Sequence, residues 1–438
     1  MRTEFYSERL RERYVRIDHP SGLPVYVFPK PLTTAYAIFS TRYGSVDIKF
    51  RRAGETDWTE TPDGIAHFLE HKLFENEDGS DSFERFSVYG ADANAYTTCN
   101  RTSYLFSCTE HFEESLEELL RFVTTPYFTK SSVKKEQGII AEEIREYDDS
   151  PWERCFQNLM EGLYEENPIR LNICGTEKSI GRITPELLYD CYDAFYRLSN
   201  MALIVCGNVC EEDVMRIVDS VLPAKPSDAP VERWVPAERR EVYRRRVETQ
   251  MQAAKPIFSI GIKDINIPAD PKLRMRRDAA QSLLEEILFS RSGRFYNDLF
   301  EEGLITPSYS YGYSIAEGFA FHAISGECDT PETVEERLWE FLNRIKREGI
   351  DEEEFERCRR ALYADELRNY DSTEDIATAL LTFVFDGEEL FDYPSVIEDL
   401  TPAELTPLLD EMIDRSAICL SVVYPLDFEK KKKEIEEE

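Results

Sequence analysis

Residues 63–75 read DGIAHFLEHKLFE and hold two of the chain's five histidines, His67 and His71, with Glu70 directly before the second. The apolar residues recur at helical spacing, which predicts a helix. Positions i and i+4 of a helix lie on one face, about 5–6 Å apart at Cβ. Two imidazoles so placed can share one tetrahedral ion. Two nitrogens with one carboxylate suit zinc and leave a fourth position for water. Glu70 points near the same face but is badly placed to share the ion, so it is positioned to handle the proton of that water.

Working outward, LPVYVFPK (23–30) and TAYAIFSTRYGSVDIKF (34–50) read as strands, rich in β-branched and aromatic residues. Beyond the histidines come a short helix, DSFERFSVYG (81–90), and two strands, NAYTTC (94–99) and TSYLFSCTE (102–110). Helical patterns fill 111–164 and 185–196, followed by a buried strand, MALIVCGN (201–208), and a helix from about 211. LPAKPSDAPVERWVPAERR (222–240) has four prolines and no periodicity, and reads as a linker with PSDAP inside it. The order then restarts: a strand pair near 242–263, helices at 270–302, strands near 308–327, long helices at 330–385 and a closing strand, ICLSVVYP (418–425).

An offset of 215 residues lays AHFLEHKLFE (66–75) on QSLLEEILFS (281–290), matching Leu73 to Leu288 and Phe74 to Phe289. His67 then falls on Ser282, Glu70 on Glu285 and His71 on Glu286. DSFERF (81–86) corresponds to GRFYNDLF (293–300). The chain therefore reads as two copies of one α+β domain, 1–222 and 241–438 around a linker at 223–240, each a mixed or antiparallel sheet flanked by helices. The second copy keeps the apolar frame and loses both histidines, which supports a chemical role for them in the first.

Composition narrows the partners. A net charge of −34 and a pI near 4.6 argue against nucleic acid and anionic membrane, both of which need a cationic surface. Ten scattered cysteines suit a reducing compartment. The N-terminal MRTEFYSERLRERY has no apolar signal core, and no apolar run approaches the roughly 18–20 residues of a membrane span; the expected location is the cytoplasm. His19, His111 and His322 read as structural histidines, and the tail EKKKKEIEEE as a solvated helix end.

H-x-x-E-H, with glutamate before the second histidine, is the inverted zinc motif. With it the chain resembles the insulinase/pitrilysin family of metallopeptidases, which includes mitochondrial processing peptidase. That family carries its third ligand on a downstream helix reading E-x6-E. Here EQGIIAEE spans 136–143, with Glu143 72 residues past His71. The resemblance implies Glu143 as the ligand, beside His67 and His71 on Zn2+, with Glu136 as a supporting acid and Glu70 as catalytic base. The helix by itself leaves rivals: Glu142 is about 100° round from Glu143, and Glu146 lies one turn on, on nearly the same face.

A second match is GADANAYTTCNRTSYLFSC (90–108). In the family a similar Asn-Ala-aromatic-Thr segment is the sheet edge that pairs with substrate, so Asn94, Ala95, Tyr96 and Thr97 are implied to offer main-chain hydrogen bonds to an extended peptide. The chain departs from the family where L-R-x4-L-x-Y is expected. DLFEEGLITPSYSY (298–311) has Phe300 in place of the arginine and Pro307 in place of the tyrosine, with Tyr309, Tyr311 and Tyr313 nearby. The half of the site that stabilises an oxyanion is thus missing. The resemblance implies one half of a two-chain clamshell, in which a paralogous subunit supplies the Arg/Tyr pair; a homodimer is the alternative. The expected activity is zinc-dependent endopeptidase cleavage of peptides or short unfolded proteins. The alternatives are a non-catalytic or maturation-associated scaffold on the same fold, and an amidohydrolase acting on a side-chain amide.

Overall fold

The computed structural model describes residues 1–225 and 230–428. The readings of 226–229 as linker and of 429–438 as a solvated helix end fall outside the described residues. In chain order the first elements are β1 (Arg2–Ser7), β2 (Glu12–Asp18), β3 (Pro24–Pro29), β4 (Ala35–Thr41), β5 (Lys49–Arg52), β6 (Thr59–Glu60), α1 (Ile65–Leu73), α2 (Ser82–Val88), β7 (Asp92–Thr97) and β8 (Thr102–Cys108). Then come α3 (Phe112–Thr124), α4 (Lys130–Asp148), α5 (Pro151–Leu163), α6 (Glu177–Ile180), α7 (Pro185–Phe195), β9 (Met201–Gly207), α8 (Glu211–Val221) and β10 (Val231–Arg233). The second half runs β11 (Arg246–Met251), β12 (Ile257–Asp264), α9 (Pro271–Phe289), α10 (Arg294–Glu301), β13 (Ser310–Ala316), β14 (Phe319–Glu327), α11 (Pro331–Glu348), α12 (Glu352–Arg368), α13 (Thr373–Asp386), α14 (Tyr393–Asp399), α15 (Pro402–Met412) and β15 (Ile418–Pro425).

One sheet has the order β1-β2-β3-β9-β4-β8-β7 and another β11-β15-β12-β14-β13. In both, the first of the last five strands is parallel to its neighbour and the remaining three pairings are antiparallel. The internal repeat seen in the sequence is therefore a repeat of topology, with α1 and α2 answering to the C-terminal half of α9 and to α10. The central strand β9, MALIVCG, is buried at all seven positions and reads as a continuous apolar run, as a strand covered on both faces should.

The structure differs from the sequence reading in three places. The two strands near 242–263 are not partners: β15 lies between β11 and β12. Closing strands from the far end of the chain take central places because parallel pairing with β11 needs a crossover, which a hairpin cannot supply. The charged N-terminal stretch forms the β1–β2 hairpin, whose alternation is hidden by a solvated face. Val231–Arg233, within the proline-rich stretch, pairs with β5.

The chain divides into two compact units. Among the described residues, unit 1 comprises 1–144, 172–225, 230–234 and 367–391; unit 2 comprises 145–171, 235–366 and 392–428. Within unit 1, one sheet face packs Val27, Phe39 and Val205 against α1 and α3 through Phe68, Leu69 and Leu119. The opposite face packs Phe28, Ile38 and Ile204 against Ile376, Leu380 and Leu381 of α13. Within unit 2, α5 packs on β15 and β12.

Candidate metal centre

The site starts at the entry to α1. Gly64 caps the helix with φ 85°, a left-handed conformation that suits glycine. A Cβ there would lie 2.4 Å from the Cys174 carbonyl oxygen, and a Cβ at Gly175 (φ 75°) would lie 2.4 Å from the Asp63 carbonyl oxygen. Two glycines thus let the loop at 172–175 press directly on the start of α1. The helix then buries its apolar residues against the sheet and holds His67, Glu70 and His71 close to one another at its surface.

The structure brings Glu143, on α4, to both rings. One carboxylate oxygen lies 3.5 Å from His67 Nε2, the other 3.6 Å from His71 Nε2. A tetrahedral zinc with bonds near 2.1 Å separates its N and O ligands by about 3.4 Å, so each of these two separations is that of a pair of ligands on one ion. Glu142 and Glu146, the rivals on the same helix, are exposed. Glu136 is buried and accepts from His71 Nδ1 at 3.2 Å, which turns the Nε2 lone pair of that ring toward Glu143. His67 Nδ1 is buried with no hydrogen-bond partner among the described residues.

Burial and charge act differently on the two rings. Burial, aided by the neighbouring His71, lowers the His67 pKa to about 3, which keeps that imidazole neutral. For His71 burial also works against the cation, but the Glu136 hydrogen bond and the nearby carboxylates outweigh it and raise the pKa. Glu70 is 7% exposed, and its pKa is raised to about 7, chiefly by burial. A carboxyl group with a pKa near neutrality can both take and return a proton.

Asn94, Ala95, Tyr96 and Thr97 lie on β7, an edge strand paired on one side with β8. Thr97 has a second contact that its strand position did not reveal: its hydroxyl donates to Glu70 Oε2 at 2.6 Å. Cys174 was also missed. Its Sγ lies 3.9 Å from His67 Nε2. Lys72, fully buried, is tied to Glu75 and lies 3.9 Å from Glu136. A lysine on the buried side of a helix carrying an acid-rich site was the signal available for the last of these.

In unit 2, Phe300 is 45% exposed and stacks on Tyr296. Of the tyrosines near it, Tyr311 donates to Glu286 and Tyr313 to Asp264, while Tyr309 is buried with no hydrogen-bond partner for its hydroxyl among the described residues. His322 pairs with Glu285 at 2.7 Å, and His19 with Ser21 and Asp219. None of the ten cysteines is in a disulfide. Among the described residues no helix is long and apolar enough to cross a membrane.

A two-domain α+β chain with an H-x-x-E-H helix and a facing glutamate is what the insulinase resemblance implies, and the relatives agree on the family. Residues 52–177 match the model of the insulinase family, peptidase family M16, and residues 182–362 that of the peptidase M16 inactive domain. YmfH of Bacillus subtilis (strain 168), described as an uncharacterized zinc protease, is 39% identical over 94% of this chain and 97% of its own length. The mitochondrial-processing peptidase subunit beta of Caenorhabditis elegans is 28% identical over 43% of this chain and 42% of its own. A crystal structure of an M16-like peptidase from Alicyclobacillus acidocaldarius superposes with a TM-score of 0.90 at 33% identity, covering 94% of this chain and 98% of that one. This chain belongs to peptidase family M16.

Proposed function

We propose that the chain is a zinc-dependent endopeptidase acting on peptides or short unfolded proteins, and that it is the zinc-bearing subunit of a heterodimer. The observation that carries the reading is the convergence of the Glu143 carboxylate on His67 Nε2 and His71 Nε2 at 3.5 and 3.6 Å, with buried Glu70 on the same helix. The donor set is two neutral-capable imidazoles and one carboxylate, which fits zinc. Zinc, when bound, would acidify a water and polarise a carbonyl.

The chain's own residues do the rest. Glu136 fixes the tautomer of His71 through Nδ1. Glu70 takes the proton of the attacking water on its carboxylate and returns it to the leaving amine, a role suited to its raised pKa. The Thr97 hydroxyl holds Glu70 in position. The β7 edge, Asn94 to Thr97, pairs with the main chain of an extended substrate as an added strand. Oxyanion stabilisation has no candidate at Phe300 or Pro307, which favours a paralogous subunit contributing an arginine and a tyrosine.

The test is peptide cleavage and metal content for the chain alone and for the chain with such a paralogue. Wild type carries one zinc. Glu70→Gln keeps the zinc and loses cleavage by about 10³-fold or more, between the general-base contribution and its electrostatic share. Undiminished cleavage by Glu70→Gln removes the assigned base. A zinc-bearing chain that cleaves nothing with or without the paralogue supports the scaffold reading.

A further inference from the structure

Cys174 lies beside two of the three candidate ligands, His67 and Glu143. Its Sγ is 3.9 Å from His67 Nε2, and His67, Glu143 and Cys174 each present one ligand atom within 4.8 Å of the other two. A tetrahedral zinc with a Zn–S bond near 2.3 Å separates nitrogen from sulfur by about 3.6 Å. The thiol is held there by construction. Its residue is buried, its backbone N–H donates to Asn172 Oδ1 at 2.8 Å, and its carbonyl abuts Gly64 at the cap of the helix that carries His67. The loop and α1 meet through two glycines on which any Cβ would clash, which sets the backbone of Cys174 against the start of the helix that carries His67.

We propose that Cys174 is a fourth protein ligand, closing the ion's shell in the resting enzyme. The proposal rests on the zinc reading of His67, His71 and Glu143. On binding, a sulfur–metal bond forms as the S–H bond breaks, and the proton goes to solvent. Four protein donors close a tetrahedron, as in structural sites, so a water or a substrate carbonyl gains access only by displacing Sγ or by expanding the shell to five. The thiolate is then a built-in mask over a catalytic ion.

Two measurements on the full chain test it without any activity readout. Zinc-loaded wild type, examined by zinc-edge X-ray absorption, shows one sulfur scatterer near about 2.3 Å beside nitrogen and oxygen. The cobalt-substituted wild type shows a sulfur-to-cobalt charge-transfer band in the near ultraviolet, and Cys174→Ser binds cobalt one to one without that band. Zinc affinity of Cys174→Ser falls by about tenfold or more, since even outer-sphere partners are worth 10–100-fold. A wild-type ion with nitrogen and oxygen neighbours alone overturns the proposal and leaves the zinc reading intact, as does a band that survives in Cys174→Ser. A wild type that binds neither metal overturns both. The X-ray experiment needs no variant, so poor folding of Cys174→Ser cannot shield the idea.

Discussion

Glu70 and Thr97 show how single contacts set the chemistry. The hydrogen bond from Thr97 lowers the Glu70 pKa against the larger, opposing effect of burial. Thr97→Val removes the donor and leaves a buried carboxyl with one fewer partner. The proton affinity of Glu70 should rise further, its orientation should loosen, and kcat should fall about tenfold, the equivalent of a hydrogen bond to a charged group. Zinc content should be unchanged, because Thr97 touches none of the three candidate ligands. Loss of zinc together with kcat would mean that Thr97 holds the helix and not the acid. Asp264 gives a pH effect of clear sign. Burial pushes its carboxyl up, but the Arg277 guanidinium, bonded at 2.7 and 3.1 Å, together with Tyr313 and a backbone N–H, holds it below its ordinary 3.8. A depressed native pKa gives stability that is full above the unfolded value and is lost as pH falls through the native one. Thermal unfolding of wild type should therefore weaken from about pH 4 downward. Asp264→Asn should be less stable by about 1.5–3 kcal/mol at neutral pH, with Arg277 left to Glu411 alone, and should show a flatter acid limb.

At the scale of elements, α1 is short, nine residues, and is not held by a side-chain cap. Its position comes from the sheet beneath and from the loop at 172–175. Gly64→Ala adds a methyl group 2.4 Å from a carbonyl oxygen at a positive φ. The loop or the helix start must move, and the cost is on the order of 2 kcal/mol or more from strain alone. Because His67 sits one turn into the helix, the same shift should weaken zinc binding along with thermal stability. An alanine variant with native melting and native zinc affinity would show that the tight junction positions nothing.

For the whole molecule, the division into units does not follow the linear repeat. Residues 367–391 belong to unit 1, where α13 covers Ile38, Ala202 and Ile204, and 145–171 belong to unit 2. A fragment ending at 240 therefore keeps the histidines and Glu143 but leaves one face of its main sheet bare. It should be unstable or aggregate, and should bind a hydrophobic dye, while fragment 1–240 mixed with a peptide carrying 367–391 should recover a cooperative unfolding transition. A fragment 1–240 that melts cooperatively alone would show that α13 is dispensable.

The sequence by itself determined the repeat, the α+β class and the pair of histidines on one helix face, because 3.6-residue and two-residue periodicities and an i, i+4 spacing are local properties of the chain. It also carried Glu143, but only as one of three acids on a helix, since periodicity cannot say which turn faces another element. Only the tertiary structure separates them in space: Glu142 and Glu146 are exposed, and Glu143 lies 3.5 and 3.6 Å from the two imidazoles. It alone joined Thr97 to Glu70 and Cys174 to His67, contacts spanning 27 and 107 residues. It alone put β15 between β11 and β12 and α13 on the sheet of unit 1. Each of these depends on chain segments far apart in sequence meeting at a buried surface, and no local preference encodes which distant segment that will be.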